Sequence, residues 1–206
     1  MIKKALTYSV VITTIIWSVG LLATPLAVGA AVSGDLIKLQ CATGAGVSDP
    51  CKAVYYLGAD GKRYVFPNEK TYKTWYSDFS GVQIVSSTEM SSYAIGGNVT
   101  YRPGVKLAKI TTDPKVYAVA GNGTLRWVTT AAIAESLYGS GWSSMVEDVP
   151  DAFFVNYTVG SDVAAASDYD KASETSNASS INSLELNFPV PVSKRELNVL
   201  PAIINR

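Results

Sequence analysis

Apolar residues in this chain come in short alternating runs broken by Gly, Asp and Asn, a pattern of strands and tight turns. Leu36-Ile37-Lys38-Leu39 predicts a leading strand. Val54-Tyr55-Tyr56-Leu57 and Arg63-Tyr64-Val65 flank Asp60-Gly61, a dipeptide that tolerates positive φ at both central positions of a hairpin turn. After Pro67-Asn68, Tyr72, Trp75, Tyr76 and Phe79 fall at i, i+3, i+4 and i+7, which predicts one apolar helical stripe. A shorter helical turn is expected over Ser87 to Tyr93.

The same pattern returns downstream. Val116-Tyr117-Ala118-Val119 and Leu125-Arg126-Trp127-Val128 flank Asn122-Gly123, with one extra residue expected after the turn. Ile133, Leu137 and Tyr138 follow Thr129-Thr130, where a threonine can cap a helix, and Asp151 to Tyr157 echoes the second helical turn. Leu107-Ala108-Lys109-Ile110 matches the leading strand. The expected fold is therefore α+β: two tandem copies of a small unit (strand, β-hairpin, covering helix, short helical turn), at residues 34–97 and 104–163, packed together. Units of this size have thin cores, so they are expected to share a strand running from Val99 to Ile110.

The ends read differently. Residues 1–31 place Lys3 and Lys4 before an uncharged run and the small residues Val28-Gly29-Ala30-Ala31, the order of a secretory signal peptide. The run is also long enough for an uncleaved anchor, though its Ser and Thr make it a polar one. Cleavage would leave a mature start at Ala31 or Val32. Residues 164–183 shift to Ala, Ser, Asp and Asn and read as a flexible linker. Residues 184–206 are apolar again and fit either a segment that docks on a partner or one that folds back.

Composition changes the picture in three ways. Losing Lys3 and Lys4 would leave 15 of the 17 basic groups against 17 acidic ones, no footprint for nucleic acid. The chain has no histidine, which removes the commonest neutral-pH base and metal ligand. Cys41 and Cys51 flank a Gly-containing segment and, outside the cytoplasm, are expected to form a disulfide; the spacing is too wide for a CxxC redox or zinc pair.

The segments Gly61-Lys62-Arg63-Tyr64-Val65-Phe66-Pro67-Asn68-Glu69-Lys70-Thr71-Tyr72, Asp113-Pro114-Lys115-Val116-Tyr117-Ala118-Val119 and Asp151-Ala152-Phe153-Phe154-Val155-Asn156-Tyr157 resemble a tandem repeat of secreted and cell-surface bacterial proteins. In that group a Val-Tyr hairpin with a Gly turn and Arg-aromatic-Val precedes a short helix. The resemblance spans about residues 34–163 and implies an envelope or extracellular location. It brings no catalytic residue, and the C-terminal segment lies outside it.

Candidate chemistry is correspondingly thin. Tyr64 and Trp127, matched by the repeat and each next to an arginine, Arg63 and Arg126, could stack a sugar ring or a peptide. Hairpin aromatics also pack under the covering helix, so either role is open. Glu147, Asp148 and Asp151 lack the alternating spacing of a Ca²⁺ loop and read as a solvated turn. The Asn-X-Ser/Thr matches at Asn98, Asn122, Asn156 and Asn177 are expected by chance in a Ser- and Thr-rich chain. The expected function is a non-catalytic envelope or surface-layer module with envelope proteins or wall glycan as partners, needing no cofactor or metal and touching membrane only through an uncleaved N-terminal segment. The alternative is a carbohydrate- or peptide-binding domain.

Overall fold

The computed structural model describes residues 29–184. The signal peptide or anchor expected at 1–31 lies outside them except for its last three residues. Of the C-terminal segment only Leu184 is described.

The described residues form an α+β structure with two five-stranded mixed sheets. In the first, β1 (Leu36–Leu39) pairs antiparallel with β2 (Tyr55–Leu57), and β2 with β3 (Arg63–Val65). The parallel strands β4 (Val82–Val85) and β5 (Ile95–Asn98) close its edges beside β1 and β3. In the second, β6 (Leu107–Ile110), β7 (Val116–Ala120) and β8 (Thr124–Trp127) form the antiparallel centre. Here β9 (Val146–Val149) and β10 (Thr158–Val159) are the parallel edges beside β6 and β8.

Short helices cover both faces of each sheet. On the first, α1 (Glu69–Trp75) starts at Asn68, whose side chain accepts from the Thr71 N–H. It places Tyr72 over Leu36, Tyr56, Tyr64 and Phe66. On the other face, α2 (Ser87–Ser92) sets Met90 against Ile37 and Leu57. In the second sheet α3 (Ala131–Tyr138), capped by Thr130, covers Leu107 and Ala118, while α4 (Asp151–Phe154) covers Ala108, Val119 and Leu125. Alternation along each strand divides its residues between these two small cores.

Four expectations need correction. The stretch from Val99 to Ile110 is not a shared strand: only Leu107–Ile110 is β, and it belongs to the second sheet. Residues 99–106 instead form a connector with Val99 and Tyr101 almost wholly buried. The Trp75 Nε1–H donates to its Thr100 carbonyl, and the Tyr101 N–H donates to the Tyr157 hydroxyl. Buried backbone of this kind must find partners, and side chains of α1 and of the turn after α4 supply them.

The second correction concerns residues 164–183, which are folded and no linker. Asp170 caps α5 (Lys171–Asn177), and the few bulky residues of the segment go to the core. Tyr169 packs with the second sheet, and Ile181, at 0% exposure, with the first. A segment poor in apolar residues still binds when its bulky ones are buried.

Third, no residue is inserted in the second hairpin. Five residues separate the paired Leu57 and Arg63, and five separate the paired Val119 and Leu125. Fourth, the turns differ in detail. Asn122 and Gly123 both have positive φ (57° and 67°), whereas at Asp60-Gly61 only Gly61 does (74°).

Candidate functional site

The disulfide between Cys41 and Cys51 closes a loop between β1 and β2. Its return is held by the Asp49 carboxylate, which accepts from the Cys51 N–H, and by a turn from Gly46 to Asp49. Cys51 is buried and the loop tip is open, with Val47 94% exposed. Between this loop, the end of β3 and the start of α1 runs a groove of about 610 Å³, within the usual range for ligand sites.

Four aromatic rings form one wall of it: Phe66 just after β3, Tyr72 from α1, Phe79 from the turn after α1, and Phe153 from α4. The sequence stripe placed Phe79 on the helix, but α1 stops at Trp75 and Phe79 swings clear. Its ring stacks on Tyr72 with centroids 4.3 Å apart and planes 15° apart, and remains 43% exposed. Lys73 Nζ stands 5.0 Å from the same ring.

Some of the groove's polar groups are occupied within the protein. Asn68 Oδ1 accepts from the Thr71 N–H, Asn98 Nδ2 donates to Asn156 Oδ1, and the Tyr72 hydroxyl donates to the Asp78 carbonyl. The surface thus joins an aromatic wall to a rim that carries the side chains of Ser48, Lys52 and Glu69. No helix among the described residues is long and apolar enough to cross a membrane.

The residues singled out from sequence do not meet here. Tyr64 is 5% exposed and offers no free face. Its hydroxyl donates to Asp60 Oδ2 at 2.6 Å, and burial, reinforced by that carboxylate, pushes the phenol well above its ordinary pKa. Built side chains at Gly58 and Gly96 would collide with its ring, so both glycines are needed where they are. Arg63 donates to the Met90 carbonyl at 2.7 Å and lies over the Tyr55 ring, tying α2 to its sheet. Arg126 donates to the carbonyls of Ser161 and Asp168, at 3.0 and 2.6 Å, anchoring the approach to α5.

Trp127 is half-buried and packs against the core of Val119 and Leu125, as do Phe153, Phe154 and Tyr157, with Lys115 Nζ 4.7 Å from its ring centroid. It is not the counterpart of Tyr64. Across the first sheet Leu36, Tyr56 and Tyr64 stand in one row; across the second, Leu107, Ala118 and Arg126 do. The one-residue insertion assumed in the sequence match moved the comparison to the opposite face.

Among the described residues no group of three or more potential ligands is placed to hold a metal ion. Glu147 pairs with Lys70 at 2.7 Å and Lys106 at 3.5 Å. Burial pushes its carboxyl up, but the two ammonium groups outweigh it and hold the group below the ordinary range. The groove itself was not foreseen. Its available signal was Ser77-Asp78-Phe79-Ser80-Gly81, a turn-forming run that ends the helix before the last member of the apolar stripe.

Comparison with protein-family models, with curated proteins and with solved structures gives no match to this chain.

Proposed function

We propose that this chain is an exported, non-catalytic interaction module of the cell envelope that holds an extended apolar peptide segment in the groove beside Cys41–Cys51. The carrying observation is the aromatic wall of the groove, where the exposed Phe79 ring is already stacked on Tyr72 beside Phe66 and Phe153. A sugar brings many hydroxyls that need partners, whereas an apolar or proline-containing peptide leaves few donors unsatisfied and gains from aromatic contact. The disulfide supports an address outside the cytoplasm. The resemblance of the hairpin segments to surface-protein repeats points the same way. Identical strand order in the two sheets, each with a helix on either face, supports reading them as tandem copies of one unit.

Calorimetric titration of the full chain with a proline-containing apolar peptide library and with soluble wall-glycan fragments tests this reading. Saturable peptide binding is expected, weakened about tenfold by Phe79→Ala because an exposed ring that is already stacked serves as a rigid anchor. Saturable glycan binding without peptide binding, or peptide binding indifferent to Phe79→Ala, would overturn it.

A further inference from the structure

The described chain begins with exposed Gly29 and Ala30 and passes at once into the core: Ala31 is 9% exposed and packs with Ile37 and Met90. The Ala31 nitrogen donates to Glu89 Oε1 at 2.8 Å. The Tyr93 hydroxyl lies 3.2 Å from that same oxygen and 3.2 Å from the Ala31 carbonyl, closing a ring of contacts around one residue. Ser86 and Glu89 have capping-box spacing, in which the glutamate would reach back to the Ser86 N–H; here Oε1 reaches Ala31 instead. A second carboxylate, Asp35, accepts from the Val32 N–H at 2.8 Å, while among the described residues Glu89 forms no ion pair. The Glu89 carboxylate thus meets the Ala31 nitrogen and the Asp35 carboxylate the next one along, and the Ala31 nitrogen, as an amide, carries no charge.

We propose that Ala31 is the first residue of the mature protein, and that Glu89 and Tyr93 are the receptor for its α-ammonium group. This rests on the export reading. The bond between Ala30 and Ala31 follows small residues at Val28 and Ala30, the pattern a signal peptidase accepts. Hydrolysis consumes one water: the Ala30 carbonyl carbon takes the hydroxyl and becomes a carboxylate, and the Ala31 nitrogen leaves as an amine that is protonated at neutral pH. The neutral N–H···O contact then becomes a charge-assisted pair. Cleavage one residue later, before Val32, would delete the residue that fills the site. Because Ala31 is buried in the folded chain, the cut precedes its docking, and processing completes the fold at this edge of the first sheet.

Mass spectrometry of the exported protein should give Ala31 as its first residue. Pulse acylation at mildly alkaline pH should label its α-amine about tenfold more slowly than in Glu89→Gln, since a paired ammonium holds its proton to higher pH. Tyr93→Phe removes the phenol without touching the charge and should keep most of that protection. An intact Met1 end would defeat both the cleaved-export reading and this site. A start at Val32 would defeat the site alone. Equal labelling in wild type and Glu89→Gln, or equal loss of protection in Tyr93→Phe and Glu89→Gln, would show that burial, not the carboxylate, shields the amine. Peptide binding in the groove uses none of these residues and is scored separately.

Discussion

Gly123 and Gly61 occupy matching hairpin turns but sit in different surroundings, and the difference sets what each can tolerate. Both have positive φ, a region that disfavours any β-branched side chain. At Gly61 a Cβ would meet open space, so Gly61→Val should cost about 1–2 kcal/mol from backbone strain. At Gly123 the Cβ would also press on Thr100 Cγ2 at 3.1 Å and the Asn156 carbonyl at 3.2 Å, so Gly123→Val should cost more, about 3 kcal/mol. Urea titration of the two variants gives the order; equal or reversed losses would contradict the geometry. The tyrosines set a second limit. Burial comes first among the causes that push Tyr76, Tyr101 and Tyr138 up to about 12 from 10.0. A phenol whose pKa is raised by folding stabilises the protein below its unfolded value, and that contribution is lost as pH rises through the folded value. With no histidine to titrate near neutrality, stability should stay nearly level from about pH 6 to 9 and fall between about pH 10 and 12. Tyrosinate absorbance should rise together with unfolding; ionisation of these rings in protein that stays folded at pH 10 would contradict the assignment.

Among the elements, the disulfide loop is both a staple and a wall of the groove. Replacing Cys41 and Cys51 by Ser should lower stability by about 2–4 kcal/mol on the chain-entropy account and weaken groove ligands, while the second sheet keeps its local structure. Denaturation curves and titrations on the same sample read both, and an unchanged midpoint would remove the staple. Much at this scale was legible in the sequence. The hairpins, the threonine cap of α3 and the disulfide follow from local chemistry, because turn residues, capping side chains and cysteine spacing act over a few positions. Register did not follow, since one residue of error exchanges faces, and Tyr64 was therefore matched to Trp127 when its row-mate is Arg126. The groove was invisible for a related reason. Phe79 has helical spacing from Tyr72, and only the stop at Trp75 frees its ring. The segment around α5 was misread because averaged composition hides single residues such as Tyr169 and Ile181 that enter existing cores.

At the scale of the whole molecule, the sheets are joined by more than a covalent link. Lys70 of α1 pairs with Glu147 of β9, Tyr101 of the connector bonds Tyr157 of the second half, and Tyr169 and Ile181 lie one in each core. The chain should therefore unfold in a single cooperative transition. Ile181→Ala, at a fully buried position, should lower it by about 2–5 kcal/mol without splitting it. Two separated transitions, with only the first sheet weakened, would mean that the halves are independent beads.

The place of Ile181 also orders events in time. A chain delivered from its N-terminus presents β1 to β5 early, yet Ile181 joins the Tyr56 and Tyr72 core, and Tyr169 the Leu107 and Ala118 core, from far along the chain. Both sheets wait, partly uncovered, for residues that arrive late, and long-range closure of this kind is slow because it fixes a long loop for few contacts. An emerging chain held short of Ile181 should bind hydrophobic dyes and holding chaperones, and release them once that residue and its neighbours appear.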